Sequence, residues 1–322
     1  MAKIIKIFFL VLITCLLLIL AKNEFARFLT KKSPYGIQTL ISKTASAENI
    51  FLGSSMFRQG IDIHVLENKI PNSSWILAYN GNQPVFEYII LKELLDNNVQ
   101  FKTLYLDMYA YSVIAPPKVS DERLFLHTNF STKLNFWKIL NENNLASFND
   151  FFQMFVTSNN EILWTWPLNQ KLTDSRYLRG GNTAFNPGNT DSIIRSLPPV
   201  IMENYNFRQE QKEALLKIKE LCINNRIELV LIETPKYIEI ALDSNYLKIM
   251  QEYVELAKAE NITFSLSETT AQFMQQLDSN FNYLEQAVSF NSSDPESFQD
   301  RIHLSSKGRK IYTEKILTFL TK

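Results

Sequence analysis

Short apolar runs that stop on glycine, serine, asparagine or aspartate alternate along this chain with longer stretches of helical period, and few folds accommodate that order. Ile50-Phe51-Leu52 stops at Gly53-Ser54-Ser55, Trp75 to Tyr79 at Asn80-Gly81-Asn82, Thr103 to Leu106 at Asp107, and Leu229 to Ile232 at Glu233-Thr234-Pro235. Ile262 to Leu266 is a fifth run of the same kind. Between them, Phe86 to Leu95, Gln209 to Asn224 and Tyr246 to Glu260 carry apolar residues three or four apart, and a last helix is predicted from about Ser306 to Leu320. Strands alternating with helices predict an α/β domain, a parallel sheet covered on both faces. The polar residues that end the strands then gather at the carboxyl edge of the sheet, where such folds bind their ligands.

The chain has 322 residues, 46% of them apolar, enough for one large domain with a substantial insertion. Its 33 basic residues balance 33 acidic ones, which removes the footprint of a protein that binds nucleic acid phosphates. Cys15 and Cys222 are the two cysteines, one in an apolar leader and one in a predicted helix, so neither a disulfide framework nor a thiolate metal site is available. His64, His127 and His303 are too scattered for a histidine metal cluster.

Lys3 and Lys6 precede an unbroken apolar run from Ile7 to Ala21, closed by Lys22 and Asn23. This is a membrane-targeting segment, a little shorter than the roughly 20 residues that span a bilayer, with Ile4 and Ile5 able to lengthen it. A cleaved signal peptide and an uncleaved anchor both fit. Ile19 and Ala21 make a poor cleavage site, which favours an anchor over residues 1–22 with the soluble body on the extracytoplasmic side. Residues 23–47 read as a polar stalk or a first helix, and 48–322 as the α/β domain.

Within that domain the alternation lapses over about residues 112–206, a stretch rich in phenylalanine and tryptophan. A gap this long must carry structure of its own. It reads either as a helical insertion whose aromatics form a small separate core, or as a cap over the site. In the second case Trp164, Trp166 or the Gly180-Gly181 loop would touch a sugar or acyl substrate.

Chemistry is best placed at Gly53-Ser54-Ser55, where a glycine lets the chain bend sharply at a strand end and exposes a following hydroxyl. A serine nucleophile needs a base held in one tautomer by an acid. In Asp300-Arg301-Ile302-His303, just before the last helix, a carboxylate and an imidazole stand three apart and can leave the loop on one side. Arg58, about one turn past Ser55, either meets an anionic substrate or pairs with Asp62. His64 and His127 read as structural or solvated.

A strand-end Gly-x-Ser early in an α/β domain, followed near the carboxyl end by Asp-x-x-His-Leu, resembles the SGNH or GDSL hydrolase superfamily. The resemblance implies a three-layer, flavodoxin-like parallel sheet over roughly residues 48–320. It implies Ser55 as nucleophile, His303 as general base and Asp300 as its orienting partner, with no cofactor or metal. It places an oxyanion hole at the amides of Ser55 and Gly81; Asn82 either adds a side-chain donor or belongs to a plain turn at Asn-Gly. The chain departs from the family where Ser54 replaces the usual aspartate and where the third strand ends in Leu106-Asp107-Met108-Tyr109, without the Gly-x-Asn-Asp block. With the amino-terminal anchor, these departures resemble the envelope branch, which includes the DltD proteins and the acetyltransferases of alginate and peptidoglycan. That branch implies acyl transfer onto an envelope polysaccharide, with a membrane-bound O-acyltransferase as partner. Ester hydrolysis on an envelope polysaccharide or lipid uses the same residues, and a non-catalytic carbohydrate-binding or assembly protein would keep the fold.

Overall fold

The computed structural model describes residues 1–30, 36–42, 47–71, 73–121, 123–157, 179–181, 188, 191–196 and 206–320. Six parallel strands form its centre: β1 (Asn49–Gly53), β2 (Ser74–Ala78), β3 (Thr103–Asp107), β4 (Glu228–Ile232), β5 (Thr263–Ser267) and β6 (Ala287–Val288). Their order is β2-β1-β3-β4-β5-β6. The chain runs from β1 out to β2 and then crosses back past β1 to β3, so the switch point lies between β1 and β3, where ligands bind in doubly wound folds.

Side chains alternate between two cores, as the period of a strand requires. Ile50 and Leu52 of β1, Leu104 and Leu106 of β3, and Leu229 and Leu231 of β4 face one core, while Phe51, Tyr105 and Val230 face the other. The first face is covered by α5 (Pro84–Asp96), α11 (Gln209–Asn224) and α13 (Ser244–Ala259), which bury Phe86, Ile218 and Met250. The second is covered by α3 (Ser55–Gly60), α4 (Ile63–Lys69) and α15 (Ser306–Leu320), which bury Phe57, Leu66 and Ile316. Five strands and all four long helices stand where the hydrophobic periods put them. The two-residue β6 is too short to show a period, and sequence reading missed it.

The described part of the insertion is helical: α6 (Ala110–Ile114), α7 (Arg123–His127), α8 (Phe130–Glu142), α9 (Phe148–Phe152), a π-helical turn at Gln153–Thr157, and α10 (Asp191–Ser196). Its buried aromatics do not form a separate core. Phe136 of α8 meets Phe86 of α5 edge to face with ring centroids 5.3 Å apart, and Phe125, Phe136 and Phe155 all join the core beneath the sheet. The two elements share one apolar interior because α5 presents more apolar surface than the strands alone can cover.

At the amino end, α1 (Ala2–Thr30) is one continuous helix. Lys3–Ala26 is long and apolar enough to cross a membrane. Residues 23–30, read as a stalk or first helix, continue that helix, and Ala26 and Leu29 are fully buried in the body. The short α2 (Ile37–Ser42) is tied down as well, Gln38 Nε2 donating to Glu93 Oε1 of α5 at 2.8 Å with both residues buried.

Because insertion and sheet share a core, Phe136→Ala is expected to cost about 3–5 kcal/mol while leaving a single cooperative unfolding transition. Urea denaturation followed by near-ultraviolet circular dichroism checks this. Two separated transitions would mean that the insertion is an independent unit.

Candidate active site

The carboxyl ends of the strands carry the site. Pairing of Gly53 with Ala78, Leu52 with Leu106 and Asp107 with Ile232 brings the exits of β1, β2, β3 and β4 level. The chain leaves β1 through Gly53 and starts α3 at once, with Ser54 as N-cap in extended conformation. Ser54 Oγ accepts from Met56 N at 3.2 Å and donates to Asp107 Oδ2, which also accepts from Ser54 N at 2.8 Å. The Asp107 carboxylate lies so close over Gly53 that a Cβ there would come within 2.6 Å of Oδ1. Glycine at position 53 is therefore required by contact.

Ser55 is the first residue of α3, and its amide has no acceptor within the helix. Its Oγ stands 2.9 Å from His303 Nε2, and His303 Nδ1 stands 2.8 Å from Asp300 Oδ2. The other oxygen of Asp300 accepts from the amides of Ile302 and His303, each at 2.8 Å. An antiparallel bridge between Phe298 and Leu304 closes the loop that carries both residues. Burial alone would raise the Asp300 carboxyl, but the His303 ring and these two amides hold it below the usual carboxylate range. A carboxylate that stays ionised fixes the Nδ1–H tautomer and leaves the Nε2 lone pair toward Ser55. The loop geometry thus brings together the three residues that the sequence singled out, from opposite ends of the chain.

The turn after β2 lies alongside. Tyr79 N donates to Gly53 O at 3.0 Å, and Asn80 N donates to Asp121 Oδ2 at 2.8 Å. Gly81 takes φ +61°, which glycine adopts without strain. Among the described residues no acceptor takes the Gly81 amide, and the Asn82 side chain is 4% exposed with neither Nδ2 nor Oδ1 partnered. The half-buried Gly81 amide and the buried Asn82 side chain thus keep unspent hydrogen-bond capacity on the turn after β2, the strand paired with β1. Arg58 Nη1 donates to Asn80 Oδ1 at 3.3 Å, and Asp62 caps α4 through the amides of His64 and Val65. Trp164 and Trp166 lie outside the described residues, as does the side chain of His127. His64 lies on α4 with a buried, unpartnered Nε2. Among the described residues no three His, Cys, Asp or Glu side chains converge to hold a metal ion.

Two roles escaped the sequence. Asp107, at the end of β3, is the acceptor that holds the Ser54 turn. Burial pushes its carboxyl up to about 6, against the pull of the Ser54 bonds and of Lys236. Lys236, in the Thr-Pro-Lys stretch after β4, is fully buried and donates to Thr234 O. Burial brings its ammonium down to about 8, against the attraction of Glu233, Asp107 and Asp300. Glu233 in turn accepts from Tyr246 Oη at 2.6 Å, Thr270 Oγ1 at 2.7 Å and Ser267 N at 2.8 Å. A lysine at a strand's carboxyl end, directly after a Glu-Thr-Pro exit, was the signal available.

Gly53→Ala is expected to push Asp107 off Ser54, stranding a buried amide at a cost of about 1–3 kcal/mol. Adding Asp107→Ala should then cost less than the sum of the two single changes, as measured by urea denaturation of the full cycle. For Lys236 the folded pKa of about 8 lies below the ordinary 10.5. Between those values the folded chain has released a proton that the unfolded chain still holds, so this group makes stability rise with pH. Wild type should accordingly gain on Lys236→Met between about pH 8 and 10.5, and parallel stability profiles of the two would contradict the buried-ammonium reading.

No family model matches the chain, and no curated protein matches it. Among solved structures it is similar to a GDSL-like lipase from Bacteroides thetaiotaomicron VPI-5482, at 10% identity over 87% of this chain and 89% of that one, with a TM-score of 0.37. LAE5, an α/β hydrolase enzyme from the metagenome of Lake Arreo, Spain, is similar at 11% identity over 85% and 94%, with a TM-score of 0.38. A point mutant of Axe2, an acetyl-xylooligosaccharide esterase from Geobacillus stearmophilus, is similar at 12% identity over 85% and 94%, with a TM-score of 0.35.

Proposed function

We propose that the chain is a serine-dependent acyl-transfer enzyme that works from the membrane through an acyl-Ser55 intermediate and delivers the acyl group to a hydroxyl of an envelope polysaccharide. The observation that carries this reading is the unbroken relay from Ser55 Oγ to His303 Nε2 at 2.9 Å and from His303 Nδ1 to Asp300 at 2.8 Å.

In the first half-reaction Ser55 Oγ attacks the carbonyl carbon of a donor ester while His303 Nε2 takes the hydroxyl proton. The carbonyl oxygen gains the electron pair and is met by the amides of Ser55 and Gly81 and by Asn82 Nδ2. Collapse expels the donor's alkoxide, which receives the proton from His303 and leaves as an alcohol. In the second half-reaction an acceptor hydroxyl loses its proton to His303, attacks the acyl-serine, and frees Ser55 as the new ester forms. Asp300 stays ionised throughout and compensates the imidazolium. Water in place of the sugar hydroxyl makes the same machinery an esterase. The anchor-like α1 supports an extracytoplasmic, membrane-held setting, and the resemblance to the envelope branch supports a membrane-bound acyltransferase as source of the donor.

Turnover of p-nitrophenyl acetate by the full chain in detergent tests the reading. Ser55→Ala and His303→Ala should each lower kcat by at least about 10³-fold, and Asn82→Ala by about 10²–10³-fold. Equal rates for wild type and Ser55→Ala would overturn acyl-serine chemistry. Adding oligosaccharide acceptors then divides the products, acetylated sugar marking transfer and acetate alone marking hydrolysis.

A further inference from the structure

The polar end of α1 is bonded to the body by side chains. Asn23 is buried, and its Nδ2 donates to Phe155 O at 3.0 Å while its Oδ1 accepts from the buried Lys133 Nζ at 2.6 Å. Lys22 Nζ, one residue earlier, donates to Val156 O. Both carbonyls belong to the π-helical turn that follows α9 without a break. The end of the apolar run at Ala21 therefore lies only about 3 Å of helical rise from the residue that docks into the body.

At that level the body shows an apolar surface that a water-soluble domain would bury. In α9, whose sequence is Phe-Asn-Asp-Phe-Phe, Phe148 is 80% exposed, Phe152 42% and Phe151 39%. Phe148 and Phe152 stack at 6.3 Å, and Phe151 rests on Phe155 at 4.9 Å and on Trp137 at 5.3 Å. A capping box between Ser147 and Asp150 fixes the start of the helix, so this exposure is held in place by local bonds. Full burial of a phenylalanine is worth about 1.5–3 kcal/mol, and Phe148 forgoes most of it. On α1, Phe25 and Phe28 are also half-exposed.

We propose that α9 is a second membrane contact, with Phe148 and Phe152 entering the interfacial layer of the bilayer that α1 crosses and seating the body on its surface. The argument for lipid rests on the membrane setting proposed above and on continuity: the π-helical turn that continues α9 is bonded through two consecutive carbonyls to the end of the apolar helix, so a bilayer around Ile7 to Ala21 brings α9 toward the interfacial layer that aromatic side chains favour. A multi-spanning protein partner is the competing occupant.

The test places the full chain, in a Cys15→Ser background, in nanodiscs of phosphatidylcholine and phosphatidylglycerol. Bimane is attached at Phe148→Cys, Phe152→Cys or, as a control on a distant helix, Leu277→Cys, with the unsubstituted background as blank. Lipids carrying a doxyl group high on the acyl chain should quench the labels at 148 and 152 by roughly twofold or more and leave the label at 277 unchanged. Equal, weak quenching at all three positions overturns the proposal, and so does a chain that stays out of the discs. Labels at 148 and 152 that ignore the lipid quencher but are shielded by an added membrane protein also overturn it, assigning the face to that protein.

Discussion

The carboxylate of Asp107 decides where Ser55 stands. It closes over Gly53, takes both the amide and the hydroxyl of Ser54, and through that hydroxyl fixes the first turn of α3, on which Ser55 is the first residue. Nothing else in the site can be placed until this turn is. The relay to His303 needs Ser55 Oγ within hydrogen-bond distance, and the amide of Ser55 reaches an oxyanion only from the position that the Ser54 cap imposes. In this chain an acid at the end of β3 and a serine after Gly53 together hold the turn.

Holding it costs a buried charge. Asp107, Glu233 and Asp300 lie behind the site with Lys236 as their shared cation, and Lys236 is wholly removed from solvent. Buried carboxylates without a counter-charge protonate, since desolvation disfavours the ionised form. A protonated Asp107 would spend one oxygen as a donor, and the paired acceptance from Ser54 would weaken. Burial draws Asp107 and Lys236 toward neutrality from opposite sides, to about 6 and about 8. Between those values Asp107 is ionised and Lys236 is charged, which is the pairing that keeps both oxygens of Asp107 as acceptors.

What the sequence made legible follows from what each signal reports. Strands buried on both faces, such as Phe51 between Ile50 and Leu52, read as short apolar runs whatever lies around them, so β1 to β5 stood out and the two-residue β6 did not. Ser55, His303 and Asp300 were legible because catalysis ties residue types to local spacing at strand ends. Asp107 and Lys236 were not, because their roles depend on what faces them across the sheet. A lone lysine in a loop ordinarily points to water, and only the packing of three acids around Lys236 reverses that expectation. For the described aromatics of the insertion the separate-core reading fails for a related reason: the sequence of Phe125, Phe136 and Phe155 says that they are buried but not against what, and in the structure they join the core of the sheet, Phe136 on Phe86 of α5.

That shared core links α1 to the Ser55 site. Asn23 of α1 is bonded to Lys133 of α8, α8 packs Phe136 on Phe86 of α5, and α5 shares one core with the sheet whose β1 leads through Gly53 to Ser55. Each step is a buried contact between elements of regular structure, and interiors packed at such density move as units. A domain on a flexible stalk would sample many orientations over a surface, at an entropic cost each time a surface-bound substrate had to meet the serine. Here the helix that carries the apolar run and the strand that leads to Ser55 belong to one packed body, so the direction in which Ser55 faces is set relative to α1 before any substrate arrives.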